Sequence, residues 1–131
     1  MFRVIIAGSR TIDSQMFIFD KLDTLLSQKI QEKEQIQIVS GTARGVDRIG
    51  EQYAAARGFL CKQYPADWNT HGKKAGYLRN CQMAENADAL VAFWDGNSPG
   101  TRHMIETAKA HGLAVRVIRI KTEKKENPYD T

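Results

Sequence analysis

The sequence has little cysteine and no long apolar run. Two cysteines among 131 residues are too few for a disulfide scaffold. They also form no C-x-x-C pair of the kind that holds zinc. No apolar run approaches the roughly 18 residues that a membrane span requires. The opening residues, MFRVIIAGSR, lack the apolar segment and cleavage site of a signal peptide. We therefore expect a reduced, cytoplasmic protein with no membrane segment, no bound metal and no cofactor.

The composition excludes wholesale disorder. Hydrophobic residues make up 42% and charged residues 26% of the chain, an ordinary globular balance. The length suits one domain, which we expect to cover residues 1–120. The remaining residues, 121–131 (KTEKKENPYDT), have almost no apolar content. We interpret them as a loose polar tail, with docking on a partner as the alternative.

The net charge of +4 is concentrated in one part of the chain. Between residues 44 and 79 there are seven Lys or Arg residues and three Asp or Glu residues, which accounts for the whole excess. If these cations share a face, they form an anion-binding surface. The alternative is a solvated helix face that happens to be basic.

Two hydrophobic periodicities alternate along the chain. Short β-rich runs occur at 3–7, 36–40, 60–64, 89–94 and 114–120. The first and fourth are nearly continuously apolar, as in central parallel strands that are buried on both faces. Four segments with helical spacing lie between the runs, the last beginning at Ser98-Pro99 and ending at Gly112. This order predicts an α/β fold: a three-layer, Rossmann-like open parallel sheet in the order 3-2-1-4-5, with helices on both faces.

In such sheets, ligands bind beyond the carboxyl ends of the strands, at the point where the strand order reverses. The loops at that end are rich in glycine, hydroxyl and charged residues, whereas the opposite connections are short and plain. Glycine lets the backbone approach a phosphate, and a helix N-terminus adds partial positive charge. Neither G-x-G-x-x-G nor G-x-x-x-x-G-K-[ST] is present, which argues against an NAD-binding domain and against an NTPase.

Four motifs resemble a known family. GSR follows the first strand, SGTARGVD the second, PADW with GKKAGYLRN the third, and AFWDGNSPGTRHMIETA includes the fourth strand. Together they resemble the SLOG superfamily of Rossmann-like nucleotide-binding proteins, and most closely its small YspA-like, cpYpsA-related branch. The likeness spans roughly residues 1–118. The superfamily includes the LOG phosphoribohydrolases and the DNA-processing protein DprA. The resemblance implies a bacterial or phage protein that senses or processes nucleotide-derived ligands.

The loops and the resemblance together give a set of candidate residues. Those for the ligand and its phosphate are Gly8, Ser9, Arg10, Ser40, Gly41, Arg44, Gly45, Asp47, Asp95, Gly96, Ser98, Gly100 and Thr101. The resemblance implies that Arg44 is a phosphate partner and that residues 95–101 correspond to the G-G-x-G-T phosphate-binding turn. Candidates for base stacking or for the rim of the site are Trp68, Lys73, Lys74 and Arg79. Packing of Trp68 under its own turn is the alternative.

Catalysis stays open at the level of sequence. The hydrolases of the superfamily carry G-T-x-x-E, whereas here the first acid after Gly100-Thr101 is Glu106, five places past Thr101. The catalytic candidates are Asp95, Glu106 and His71, the last because it lies in a loop on the ligand side.

Three hypotheses follow for function. The first is binding of a nucleotide or nucleotide-derived phosphorylated ligand, as a sensor or a cryptic nucleotide-processing protein. The second is a DprA-like module for single-stranded nucleic acid, for which the basic segment and Trp68 are suited. The third is a LOG-like nucleoside monophosphate phosphoribohydrolase. We also expect a homodimer that forms through the third and fourth predicted helices.

Overall fold

The computed structural model describes residues 1–121, in which strands and helices alternate. The elements are β1 (Phe2–Gly8), α1 (Gln15–Leu25), α2 (Ser27–Gln31), β2 (Ile36–Ser40), α3 (Val46–Arg57), β3 (Leu60–Gln63), α4 (Trp68–His71), α5 (Ala75–Glu85), β4 (Ala89–Trp94), α6 (Pro99–Ala110) and β5 (Ala114–Arg119). A single 3₁₀ turn, Gly72–Lys74, joins α4 to α5.

The five strands form one parallel sheet in the order β3-β2-β1-β4-β5, which confirms the predicted topology. Strand β1 lies at the centre, where Val4 is in register with Ile38 of β2 and with Ala89 of β4. Its residues 4–7 are all buried, as its continuous apolar run predicts. Strand β3 is exposed along its whole length, because it lies at an edge of the sheet.

Helices cover both faces of the sheet, so the core has two parts. Successive side chains of β1 point to opposite faces. Val4 and Ile6 pack with Ile18 of α1 and Tyr53 of α3 on one face. On the other face, Ile5 and Ala7 pack with side chains from α5 and α6, namely Met83, Ala84, Met104, Ile105 and Ala108. The predicted three-layer arrangement is therefore confirmed.

The structure divides the first predicted helix into two and contains one further short helix that the sequence pattern did not predict. Helix α2 follows α1 after a break at Leu26. Helix α4 lies within the long segment after β3, where Asp67 caps it by accepting a hydrogen bond from the Thr70 N–H at 3.2 Å. Both are too short to show a periodic apolar stripe, which is the signal that predicts longer helices.

The longer helices begin and end at residues that are typical of helix termini. Helix α3 ends at Gly58, which takes the left-handed conformation with φ of 72°. Helix α6 begins with Pro99 in its first turn. Among the helices of residues 1–121, none is both long and apolar enough to cross a membrane. Apart from Lys121, the predicted polar tail lies outside the described residues.

Candidate ligand-binding site

A cleft of about 200 Å³ lies at the carboxyl end of β1, on the side of the sheet that α5 and α6 cover. Its walls come from the loops after β1 and β2, the segment from α4 to α5, and the start of α6. The lining residues are Ala7, Gly8, Arg10, Ala43, Asp47, Trp68, Lys73, Gly76, Tyr77, Arg79, Asn80, Met83, Ser98, Gly100, Thr101 and Met104. The position agrees with the general rule that ligands bind where the strand order reverses.

The cleft brings together part of the predicted set. Nine predicted residues line it: Gly8, Arg10, Asp47, Trp68, Lys73, Arg79, Ser98, Gly100 and Thr101. The structure does not bring the others into the lining, namely Ser9, Ser40, Gly41, Arg44, Gly45, Lys74, Asp95 and Gly96. Arg44 is exposed on the loop after β2, and its role as a phosphate partner stays a prediction.

Two of the predicted glycines allow close packing of the loops. A Cβ at Gly8 would clash with the carbonyl oxygen of Phe93 in β4 and would lie 2.7 Å from Cγ2 of Val46, at the start of α3. Gly45 has φ of 77°, and a Cβ there would lie 2.7 Å from the carbonyl oxygen of Arg10. Larger residues would therefore push the loop after β2 away from the loop after β1. At these positions, glycine shapes the wall of the cleft.

Asp47 is a buried carboxyl group in that wall, with 6% of its surface exposed. Burial raises its pKa to about 6, and the charge of Glu51 acts in the same direction. Hydrogen bonds from the backbone N–H groups of Ala43 and Gly8 and the positive charge of Arg79 oppose that rise. The bond from Ala43 to Oδ2 is 3.2 Å long. Asp47 therefore carries only part of its negative charge when the pH is near 6.

Arg79 reaches from α5 to the loop after β2. Its Nη1 donates to the carbonyl oxygen of Gly41, and its Nε donates to Oδ1 of Asn80 at 3.1 Å. Burial lowers the pKa of Arg79 and the charge of Arg10 acts in the same direction, whereas Asp47 raises it. Arg79, Arg10 and Lys73 give the lining three cations against one carboxyl group, that of Asp47. The cleft is therefore electropositive.

The start of α6 adds backbone donors to the same cleft. Gly100 and Thr101 lie in the first turn, where N–H groups have no partner within a helix. Asp95 shapes the preceding loop, because its Oδ1 accepts hydrogen bonds from the N–H groups of Asn97 and Ser98, each at 2.8 Å. Burial opposes the charge of Asp95, but these hydrogen bonds outweigh it and lower the pKa. The carboxylate is thus engaged with its own loop.

The three catalytic candidates do not line the cleft. Asp95 is held by its loop, and His71 is exposed at the end of α4. Glu106 is also exposed, since five residues of α-helix place it about 140° around the axis from Thr101. Within residues 1–121, no group of three or more His, Cys, Asp or Glu side chains is placed to hold a metal ion.

Sequence reasoning assigned no role to Asn80 and His103, which join α5 to α6. Asn80 is buried, and its Nδ2 donates to the carbonyl oxygen of Gly100 at 3.4 Å and lies 3.1 Å from Nδ1 of His103. The ring of Tyr77 stacks on His103 with 4.2 Å between centroids. The spacing of Tyr77 and Asn80, three residues apart on one face of a helix, was the available signal.

Comparison with known proteins identifies the family. The model of the YspA, cpYpsA-related SLOG family matches residues 2–71, which include the first three strands and the loops after them. The chain is also 38% identical over 121 residues to the Gene 61 protein of Mycobacterium phage D29, covering 88% of this chain and 94% of that protein. The chain belongs to the YspA- and cpYpsA-related SLOG family.

This SLOG chain also has a fold like that of a larger solved protein. DNA processing protein A (DprA) from Streptococcus pneumoniae superposes with a TM-score of 0.70 at 17% sequence identity. The match covers 94% of this chain and 52% of DprA, so the SLOG chain spans about half the length of that protein. The likeness supports the Rossmann-like fold.

Proposed function

We propose that this SLOG protein binds a nucleotide or nucleotide-derived phosphorylated ligand in the cleft, as a sensor or a nucleotide-processing protein. One observation carries the proposal: three cations and the N-terminus of α6 surround a single cleft. Such a concentration of positive charge favours an anion. The one carboxyl group in the lining, that of Asp47, is outnumbered by the three cations.

Arg10 is the principal phosphate partner in this proposal. It lines the cleft directly after β1 and is exposed, so its guanidinium is accessible to a ligand. The fork of a guanidinium matches two phosphate oxygens at once. The N–H groups of Gly100 and Thr101 complete the phosphate subsite, as at other helix N-termini that bind anions.

Calorimetry with AMP and ADP-ribose tests this assignment. Arg10→Ala should leave the fold intact and weaken binding by about tenfold or more, since hydrogen bonds to charged groups contribute about 1.5–3 kcal/mol. Arg44→Ala is the matched variant, because Arg44 is an exposed arginine on the adjacent loop outside the lining. We expect it to have the smaller effect. Unchanged binding by Arg10→Ala, together with loss of binding by Arg44→Ala, would contradict the proposal. Arg44 would then be the phosphate partner, as the family resemblance implies.

Single-stranded nucleic acid is the second candidate ligand. Trp68 and Tyr77, which are 51% and 47% exposed, flank Lys73 and Lys74 along the chain. Exposed aromatic rings among cations suit a flexible strand, whose bases stack and whose phosphates pair. The DNA-processing name of DprA, which shares the fold, is consistent with this candidate. Fluorescence anisotropy with a labelled oligothymidine would show binding that weakens steeply with salt. An absent signal, or binding that does not depend on salt, would contradict single-stranded nucleic acid as a ligand.

A homodimer through α5 and α6 is the third part of the proposal. Its support is Leu78 of α5, a large apolar side chain that is 44% exposed. Light scattering during size-exclusion chromatography should give twice the monomer mass for the parent. Leu78→Glu should give the monomer mass. A monomeric parent would contradict this part and leave ligand binding untouched.

A further inference from the structure

One part of the cleft is lined by two aromatic rings that have no role in the proposed phosphate subsite. Trp68 and Tyr77 line it from the segment after β3, and about half of each side chain is exposed. Gly76 lies between them in the lining, and the Trp68 ring packs close to it, since a Cβ at Gly76 would lie 3.4 Å from Cη2 of Trp68. A ligand that covers large exposed aromatic rings removes their apolar surface from water, which favours binding.

The ring of Tyr77 is held in place from behind. The imidazole of His103 stacks on it with an interplanar angle of 29°. Nδ1 of His103 lies 3.1 Å from Nδ2 of Asn80, and Asn80 in turn bonds the carbonyl oxygen of Gly100 at the start of α6. One face of Tyr77 is therefore covered within the protein, and the orientation of its ring is tied to the helix terminus that supplies the phosphate donors.

We propose that Tyr77, supported by His103 and flanked by Trp68, is the subsite for an unpaired nucleobase. This inference rests on the proposed function, since it assigns the second half of the same ligand. The phosphate lies between Arg10 and the start of α6, and the base stacks on the aromatic rings across the cleft. The ligand is then a nucleotide whose base is unpaired, rather than a sugar phosphate that has no base.

Support of the Tyr77 ring by His103 increases the affinity of the subsite for a base. A ring that is already oriented loses little freedom when a base stacks on it, so more of the stacking energy appears as affinity. Stacking on an aromatic ring tolerates any base, because every base has a π-face. The subsite therefore favours a base over none and discriminates little between bases. His103 is a positioning residue in this arrangement.

Titration of AMP and of ribose 5-phosphate tests the inference, since the two ligands differ only in the base. The parent should bind AMP about tenfold or more tightly than ribose 5-phosphate. Tyr77→Leu should remove most of that preference and leave the affinity for ribose 5-phosphate unchanged. His103→Ala should reduce the preference part of the way. Phe17→Leu is the matched control, because Phe17 is an exposed ring on α1 outside this cleft.

The outcomes separate the two proposals. Equal affinity of the parent for AMP and ribose 5-phosphate would overturn the base subsite while leaving the phosphate site in place. Equal losses for both ligands in Tyr77→Leu would show that the ring supports the fold of the cleft, and would overturn the subsite as well. Binding of neither ligand by the parent would contradict the proposed function itself.

Discussion

The carboxylate of Asp47 and the guanidinium of Arg79 both approach Gly41 closely. A Cβ on Gly41 would lie 2.9 Å from Oδ2 of Asp47 and 2.8 Å from Nη1 of Arg79. The loop after β2 and helix α5 thus approach one another at a residue that has no side chain. This contact connects the wall of the cleft to the helix that carries its aromatic residues.

Substitution of Gly41 should therefore destabilise the protein. We expect Gly41→Ala to lower the free energy of unfolding by about 1–3 kcal/mol, because the added methyl group must displace the buried carboxyl group of Asp47 and the partly buried guanidinium of Arg79. Urea denaturation measures this change. Gly100→Ala is the control, since a Cβ at Gly100 meets nothing within 4 Å. An unfolding free energy for Gly41→Ala equal to that of the control would show that the contact relaxes without cost.

The buried carboxyl group of Asp47 should make stability depend on pH. Its pKa is raised from 3.8 to about 6 in the folded protein, so the stability that its protonated form contributes is lost as the pH rises through about 6. Asp47→Asn stays neutral throughout. The variant should gain stability relative to the parent between pH 4 and pH 7, by on the order of 2 kcal/mol.

Chemical denaturation of both proteins across that pH range isolates the effect, because the other titrating groups are common to both. The hydrogen bonds that asparagine changes add an offset that does not vary with pH. A difference that stays constant between pH 4 and pH 7 would mean that Asp47 titrates normally.

Ser9 should stabilise the junction of the two central loops. It is 1% exposed, and its Oγ accepts a hydrogen bond from the N–H of Asp95 at 3.1 Å. Ser9→Ala leaves that donor without its partner, which should cost about 1–3 kcal/mol. Ser14→Ala is the comparison, because the exposed Ser14 precedes α1 without a side-chain capping bond. Similar melting temperatures for the two variants would show that the Ser9 hydrogen bond does not stabilise this junction.

Hydrolysis of nucleoside monophosphates should be absent. Glycoside hydrolysis needs a carboxylate near the sugar. The three catalytic candidates do not line the cleft, and the carboxyl group that does, that of Asp47, is buried and accepts hydrogen bonds from the backbone N–H groups of Ala43 and Gly8. Incubation with AMP, CMP and GMP should therefore release no more free base than a heat-killed control. Release that Glu106→Gln abolishes would show that Glu106 reaches the ligand, and would restore the hydrolase hypothesis.

The order of the strands was predictable because it depends on simple properties of the chain. Continuous apolar runs mark β1 and β4 as central strands, and right-handed crossovers then leave few topologies. The start of α6 was predictable for a similar reason, because Ser98 and Pro99 are typical of helix N-termini. These signals are local, and the structure follows them.

The identity of the arginines in the cleft was only partly predictable. Arg44 and Arg79 both belong to the basic segment, but the direction of each side chain depends on how the loop after β2 packs against α5. Gly41 decides that packing by the absence of a side chain. The support of Tyr77 by His103 joins residues on two helices, and no pattern within one helix predicts such a contact.

Amide chemical shifts during titration with AMP test whether a phosphorylated nucleotide occupies the cleft beside β1. We expect the N–H signals of Gly8, Gly100 and Thr101, which line this cleft, to move with a common saturation curve. The signals of Asp13, Ser14 and Phe17, which line a second cleft beside α1, should stay in place. Movement confined to that second cleft, or no movement at saturating AMP, would contradict the account.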